Sequence, residues 1–464
     1  MKRTLLIVVF VLVSFNGIAL PQTAQNGDIQ SFDLTPSPPS TKYWLLTDPR
    51  QALDGNSAFL YADAAATLND AINKQTADAL DAYWSNNGNF DSLAAAVEKA
   101  RVYYTVQSTF DLLAIAARRQ DYHWESSWRQ QGGETLIPHI LGERKLIDLI
   151  SVRALEQIRA GQFDNAVDTI RLGYEMGRKA GSEQLMICGL VGSAIVSRSA
   201  ALTEDLMKQP NAPNLYWALA SLPRSMVSFQ NCLAGETGDV RATIHELDTD
   251  RPQDISVETW HTIFDKCVGF LKHSVDVPNH GWDNPQTVSE EIARMAPQAA
   301  DDYAQRFGLS RDQVNSLDPF KVVLTYWYCQ NQQLEEQMYQ LASLPYPLLL
   351  KQAADFDRRA KRMALDEPAN PFLEWIASID KAARRFARAD RLMAAMTDVE
   401  AIRSYAATNG GKLPEHLQDI TATPALDNPR TGRPFDYRVD GDAATLSDPE
   451  PAENPLTFTI RIRQ

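Results

Sequence analysis

From Tyr43 to about Gln209 the apolar positions recur at helical spacing, with Gly, Asn and Pro between the runs. Residues 58–82 and 91–118 are rich in Ala and Leu. Asn86-Asn87-Gly88-Asn89 predicts the turn between them, and Asp91 can cap the second helix. Residues 143–208 are the most informative stretch. Leu146, Ile150, Ala154 and Ile158 share one helix face, and Ala160-Gly161-Gln162 breaks the pattern. Phe163, Ala166, Val167, Ile170, Gly173, Tyr174 and Gly177 then form the apolar side of a second helix, with Asp164, Asp168, Arg171, Glu175 and Arg178 opposite. After Gly181-Ser182 a third helix is apolar nearly all round from Leu185 to Leu202, as a central buried helix is. Gly189, Gly192, Ser193 and Ala194 would let neighbouring backbones approach it closely.

Residues 210–365 continue as helices, with connections at Asp248–Asp254 and Val277–Gln286. Asp318 to Leu344 is a strong helical run carrying Tyr326-Trp327-Tyr328, and Leu344-Pro345-Tyr346-Pro347 closes it. A long charged helix is expected within residues 366–408. Its Phe386, Leu392, Met396 and Val399 should pack inward, leaving Lys381, Arg384, Arg385, Arg388, Asp390 and Arg391 on a solvated face. Beyond Gly410 the period changes to two. Phe435–Val439 and Ala443–Leu446 flank the turn signal Asp440-Gly441-Asp442, and Leu456–Arg463 alternates again. These runs predict a three-stranded antiparallel sheet on the end of the preceding helix.

The resulting fold class is mainly α. It is an irregular helical hairpin bundle or solenoid, tetratricopeptide-like in part, followed by a long helix and a small antiparallel sheet. The tetratricopeptide-like part is a hairpin of two helices and a third after it, and it occurs convincingly once; simple α-hairpin packing explains it equally well. The expected divisions are 1–24, 25–42 (a flexible, Pro-rich linker), 43–209, 210–365, 366–408 and 409–464.

The start of the chain adds an address. Lys2 and Arg3 precede the apolar run Leu5–Val13, and Gly17-Ile18-Ala19 offers a small-residue cleavage site, with Ala24 as a later one. Nine helical residues rise only about 13 Å, against a bilayer core of about 30 Å. Residues 1–24 therefore read as a cleaved signal peptide, placing the protein in the periplasm, the cell envelope or outside the cell, with no membrane insertion after cleavage. The chain has 464 residues and a formal charge of −14. Such a balance disfavours a nucleic-acid partner, which needs clustered Lys and Arg. Cys188, Cys232, Cys267 and Cys329 permit three full disulfide pairings in an exported chain, while Cys188 also suits an inert core thiol.

Two resemblances follow. Residues 117–124 (ARRQDYHW), 136–140 (LIPHI), 153–155 (RAL), 210–223 (PNAPNLYWALASLP), 323–327 (VLTYW) and 344–347 (LPYP) match, in order, a family of uncharacterised exported proteins of planctomycete bacteria. That resemblance implies export and a helical fold, and no activity. Residues 396–414 (MTDVEAIRSYAATNGGKLP) and 427–438 (DNPRTGRPFDYR) are similar to the C-terminal module of type II secretion major pseudopilins. The apolar membrane helix that begins a pseudopilin has no counterpart at Asp380–Leu392, so the module resembles that fold without its filament-forming part. A monomer or small closed oligomer is expected.

Motifs for chemistry are sought and mostly missing. His245-Glu246 is followed by Thr249 where a zincin needs His, and Gly192-Ser193 lacks the glycines of a nucleophile elbow. Gly411-Lys412 is no P-loop, and Asp248 and Asp250 lack the Gly and Glu of a calcium loop. No catalytic residue, metal ligand or cofactor is assigned. One constellation suits a ligand groove: Asp121, His123, Trp124 and Trp128 in a loop, with His139, Tyr216 and Trp217 folded back towards it. The same aromatics could simply seal a core. Two function classes compete. One is a non-catalytic scaffold that binds another envelope protein. The other is an envelope hydrolase or lyase acting on a carbohydrate or peptide polymer through the aromatic groove. A perturbed carboxylate pair in a deep cleft would favour the enzyme.

Overall fold

The structure is a computed structural model that describes residues 30–67, 78, 107–124, 137, 139–236, 239–272, 281–282, 284–376, 378–450 and 455–463. The expected signal segment and the turn at Asn86–Asn89 lie outside these residues.

The first described element corrects the expected linker. Residues 30–34 form a strand, β1 (Gln30–Leu34), whose Phe32 and Leu34 are fully buried while Ser31 and Asp33 face out. This alternation is too short to stand out among polar neighbours. After it come β2 (Leu53–Asn56), α1 (Ala58–Ala66), α2 (Gln107–Arg118) and β3 (Arg119–Asp121), with β2 and β3 paired in parallel.

Three consecutive helices then build the body: α3 (His139–Arg159), α4 (Phe163–Ala180) and α5 (Met186–Met207). Gly161, at φ +70°, makes the left-handed turn between α3 and α4, a backbone region that other residues rarely adopt. By length and composition α5 could cross a membrane, yet most of it is buried inside the protein. It approaches α4 so closely that a Cβ added at Gly192 would lie 2.6 Å from the Gly177 carbonyl oxygen. One detail of α4 differs from expectation. Glu175, on its polar side, is buried against residues 45–48 and α2, where it accepts the Thr47 amide at 2.7 Å and pairs with Arg178 at 2.8 Å. Its neighbour Lys179 is buried as well and donates to the carbonyls of Ala116 and Ala117, at 2.8 and 2.6 Å, beyond the end of the α2 hydrogen-bond ladder.

Short helices α6 (Tyr216–Ala220), α7 (Phe229–Glu236) and α8 (Asp239–Thr243) lead to a second core. This is formed by α9 (Val257–Lys272), α10 (Pro285–Phe307), α11 (Arg311–Asn315) and α12 (Pro319–Ala342), around Trp260, Trp327, Tyr328 and Phe372. Next, α13 (Tyr346–Asp366) returns to the first core through Leu349, Leu350, Ala353 and Phe356.

The long helix, α14 (Ile379–Thr408), starts later than the expected 366 because Asn370 and Pro371 begin a separate 3-10 turn. Its first free amides are satisfied from α13: the Asp357 carboxylate accepts from Ile379 N at 3.1 Å and Asp380 N at 3.2 Å. The expected solvated face is also corrected. Lys381 is exposed, but Arg384, Arg385 and Arg388 are half-buried, and Asp390 and Arg391 are buried. Here α14 is a spine with α5, α6, α13 and the terminal sheet packed around it, so most of its length is covered and two of its buried cations find partners inside the protein. Arg391 bonds to Asp448, and Arg403 pairs with Glu400 while donating to the carbonyls of Thr35, Ala212 and Pro213.

The chain ends in a short ribbon, β4 (Asp427–Asn428) with β5 (Arg433–Pro434), and three strands, β6 (Asp436–Asp440), β7 (Ala443–Ser447) and β8 (Thr457–Ile462). The three are antiparallel neighbours, as their alternation predicts. The sheet has a fourth member: β1 pairs in parallel with β8, placing Phe32 opposite Ile460 and giving the order β1-β8-β7-β6. Phe32, Leu446, Phe458 and Ile460 form its buried face. All four cysteines are buried free thiols.

Candidate functional site

The predicted aromatic constellation divides. Asp121, His123, Trp124 and His139 come together, Tyr216 and Trp217 lie elsewhere, and Trp128 is outside the described residues. Pairing of β2 with β3 fixes the loop. The Ser57 hydroxyl donates to the Asp121 carbonyl at 2.8 Å, while the Asn56 amide donates to the His123 carbonyl at 2.7 Å and accepts from its N–H at 3.1 Å. Asp121 and His123 thus serve through their backbone, with exposed side chains. Trp124 stacks on His139 with ring centroids 4.3 Å apart and donates through Nε1 to the Tyr122 hydroxyl at 2.9 Å. Tyr122 in turn donates to the Glu143 carboxyl, and Glu183 accepts the Trp124 amide at 3.0 Å.

Burial dominates the electrostatics of this cluster. It pushes the fully buried Glu143 up to about 8, helped by the nearby Glu183 charge, and pushes His139 down to about 4. Both are mainly neutral at pH 7, the state a low-dielectric site favours. Among the described residues, Glu143 Oε2 and His139 Nε2 are buried without a hydrogen-bond partner. With Glu143 only 1% exposed, the chain Trp124–Tyr122–Glu143 works as a joint between the loop and α3. Tyr216 instead donates to the Pro424 carbonyl at 2.8 Å, tying α6 to the C-terminal module, and Trp217 beside it is 43% exposed.

A cleft of about 490 Å³ opens between the helical body and the β4–β5 ribbon. Leu222 and Phe229 line one side, Leu344 and Tyr346 a second, Met393 of α14 a third, and Leu426 to Gly432 the last. These walls are mostly apolar. Asp390 is the buried ionisable side chain among them. Its Oδ1 accepts the Met226 amide at 3.3 Å. Burial pushes its carboxyl up to about 7, against the lowering influence of that amide and of the Tyr346 and Ser225 hydroxyls alongside. Two turns along α14, Asp398 accepts the Leu426 amide at 2.7 Å and so holds the ribbon edge of the cleft; burial raises its carboxyl as well.

Sequence reasoning did not single out Asp390, Tyr346, Glu143 or Glu183 as site residues. Two faint signals were present. Glu143 follows His139 by one helical turn, and Tyr346 stands between two prolines. Asp390 gave none, since it lies in a run of charges that reads as solvated. Among the described residues no group of three or more His, Cys, Asp or Glu side chains could hold a metal ion. Comparison of the chain with protein-family models, with curated proteins and with solved structures finds no match.

Proposed function

We propose that this is an exported, non-catalytic binding protein of the cell envelope, which takes an extended, mainly apolar peptide segment of another envelope protein into the cleft beside Asp390. The cleft carries this reading. Its volume falls within the range of about 300–1,000 Å³ usual for small-ligand pockets. Most of its walls are apolar, and its one buried carboxyl is near half-protonated at pH 7, so an occupant need not bring a cation. Export is supported by the basic, apolar and small residues of positions 1–19.

A photo-crosslinking residue at Gln230, on the cleft wall, should join the protein to a reproducible envelope polypeptide in the native host. Filling the cleft with Ala220→Trp should abolish the product, while a crosslinker at the exposed Phe59 should give none of it. Turnover of an envelope carbohydrate or peptide polymer that Asp390→Asn eliminates would overturn the proposal in favour of a hydrolase or lyase. The mature N-terminus should start near Leu20 or Gln25, and light scattering should show a monomer or small closed oligomer.

A further inference from the structure

The outer face of α13 has the opposite charge to the rest of the molecule. It presents Lys351, Arg358, Arg359, Lys361 and Arg362 against Asp355 and Asp366, all exposed, on a chain whose formal charge is −14. Little of this positive charge is neutralised within the protein. The Arg358–Asp355 pair is 73% and 63% exposed at its two side chains, and Arg362 and Asp366 are 3.8 Å apart at 84% and 70% exposure. Such pairs are screened and contribute little. Lys351 and Lys361 form no ion pair among the described residues.

The face also carries a shallow, open depression. Leu341 of α12 and Arg358, Arg359, Lys361, Arg362 and Leu365 of α13 border a groove of about 860 Å³. Leu365 is 81% exposed at the end of the helix, and Leu348 is 50% exposed near its start. At the helical rise these two leucines stand about 26 Å apart along the axis. A strip of cations bordered by exposed leucines complements a chain that carries both negative charge and apolar side chains. A flat bilayer would meet the ridges of such a groove and leave its floor empty.

We infer that this groove on α13 is a docking surface for an acidic amphipathic segment of a partner protein. The inference does not depend on what occupies the cleft beside Asp390. The partner supplies Asp or Glu at helical spacing to Arg358, Arg359 and Arg362, and Leu-type side chains to Leu341 and Leu365. Opposite fields speed such an encounter and make it sensitive to salt.

The test uses the purified full chain and a fluorescently labelled peptide of alternating Glu-Glu and Leu-Leu pairs, read by anisotropy. Binding should weaken about tenfold or more between about 50 and 300 mM NaCl, as screening shortens the reach of exposed charges. The double variant Arg358→Glu/Arg362→Glu should weaken it by at least about tenfold at low salt, since it turns attraction into like-charge repulsion. Arg358→Lys/Arg362→Lys should keep most of it. Both altered positions are well exposed, so an unchanged circular dichroism spectrum is expected, and Lys361→Gln provides a milder second reading. Peptide binding that ignores salt or the charge reversal overturns the inference. So does a failure of the peptide to bind while vesicles of anionic phosphatidylglycerol are bound.

Discussion

Arg391 on α14 donates to Asp448, just beyond β7, at 2.9 Å, and both side chains are buried. The same Asp448 carboxylate accepts the Leu456 amide and the Asn428 side-chain amide, each at 2.8 Å. One charge pair therefore fastens the spine helix, the ribbon and the β7–β8 connection together. Arg391→Met should cost about 3–5 kcal/mol, because it strands a buried carboxylate without its cation. Urea unfolding followed by circular dichroism measures this, and a loss below about 1 kcal/mol would show the pair to be dispensable.

The Trp124–Tyr122–Glu143 joint should give stability a two-sided dependence on pH. Glu143 rises from an ordinary 4.5 to about 8 in the folded state, which therefore binds more protons than the unfolded chain between those values, and stability falls as pH rises through that window. His139 drops from 6.5 to about 4, so its contribution is lost as pH falls through that lower window. The two oppose each other between 4.5 and 6.5, leaving a net decline from 6.5 to 8. Glu143→Gln should remove that decline and leave a loss of stability as pH falls below 6.5, and His139→Phe should extend the decline down to about 4.5. Thermal melts at pH 4 to 8.5 read both. A wild-type Tm independent of pH above 6.5 would contradict the Glu143 assignment.

Three parts of this architecture were legible in the sequence for a simple reason. The spacing of Ile158, Gly161 and Phe163 fixed the α3–α4 turn; the unbroken apolar run from Leu185 fixed a buried α5; and the alternation of Phe458 and Ile460 fixed a strand. Each signal is local. What was missed depends on contacts distant in sequence. Phe32 and Leu34 become a strand only because β8 pairs with them. Asp390 and Arg391 read as solvated because nothing local shows that Met226 and Asp448 will meet them. The proposed aromatic surface failed as a unit for the same reason: Tyr216 is drawn towards Pro424, away from Trp124.

Helix contact in the body has little tolerance. A Cβ at Gly177 would sit 2.9 Å from the Gly192 carbonyl oxygen, and one at Gly192 would sit 2.6 Å from that of Gly177. Gly192→Ala should destabilise by about 1–3 kcal/mol through overpacking. The double variant with Gly177→Ala should differ from the sum of the singles, since once the helices have parted for one methyl the second meets less resistance. Additive losses in a denaturant series would argue against a shared contact.

Arg403 is the other buried cation of the spine. Its guanidinium reaches the Thr35, Ala212 and Pro213 carbonyls at 2.7, 2.5 and 3.3 Å and pairs with the buried Glu400 at 3.4 Å. A lysine cannot present this planar fork. Arg403→Lys should therefore lose about 2–4 kcal/mol despite keeping the charge, with carbonyls left unmatched in a dry site. Hydrogen exchange should show early loosening near residues 35 and 212; a variant as protected there as wild type would refute this.

The parallel pairing of β1 with β8 also sets an order of events. Synthesis from the N-terminus delivers Phe32 long before Ile460. Until then β1 has no strand to join, and the entropy of closing so long a loop must be met before the contact can repay it. The molecule therefore latches only when residues 457–462 arrive. A chain interrupted before that point keeps Phe32 and Leu34 beside an unpaired strand edge, a sticky surface that the arrival of β8 removes.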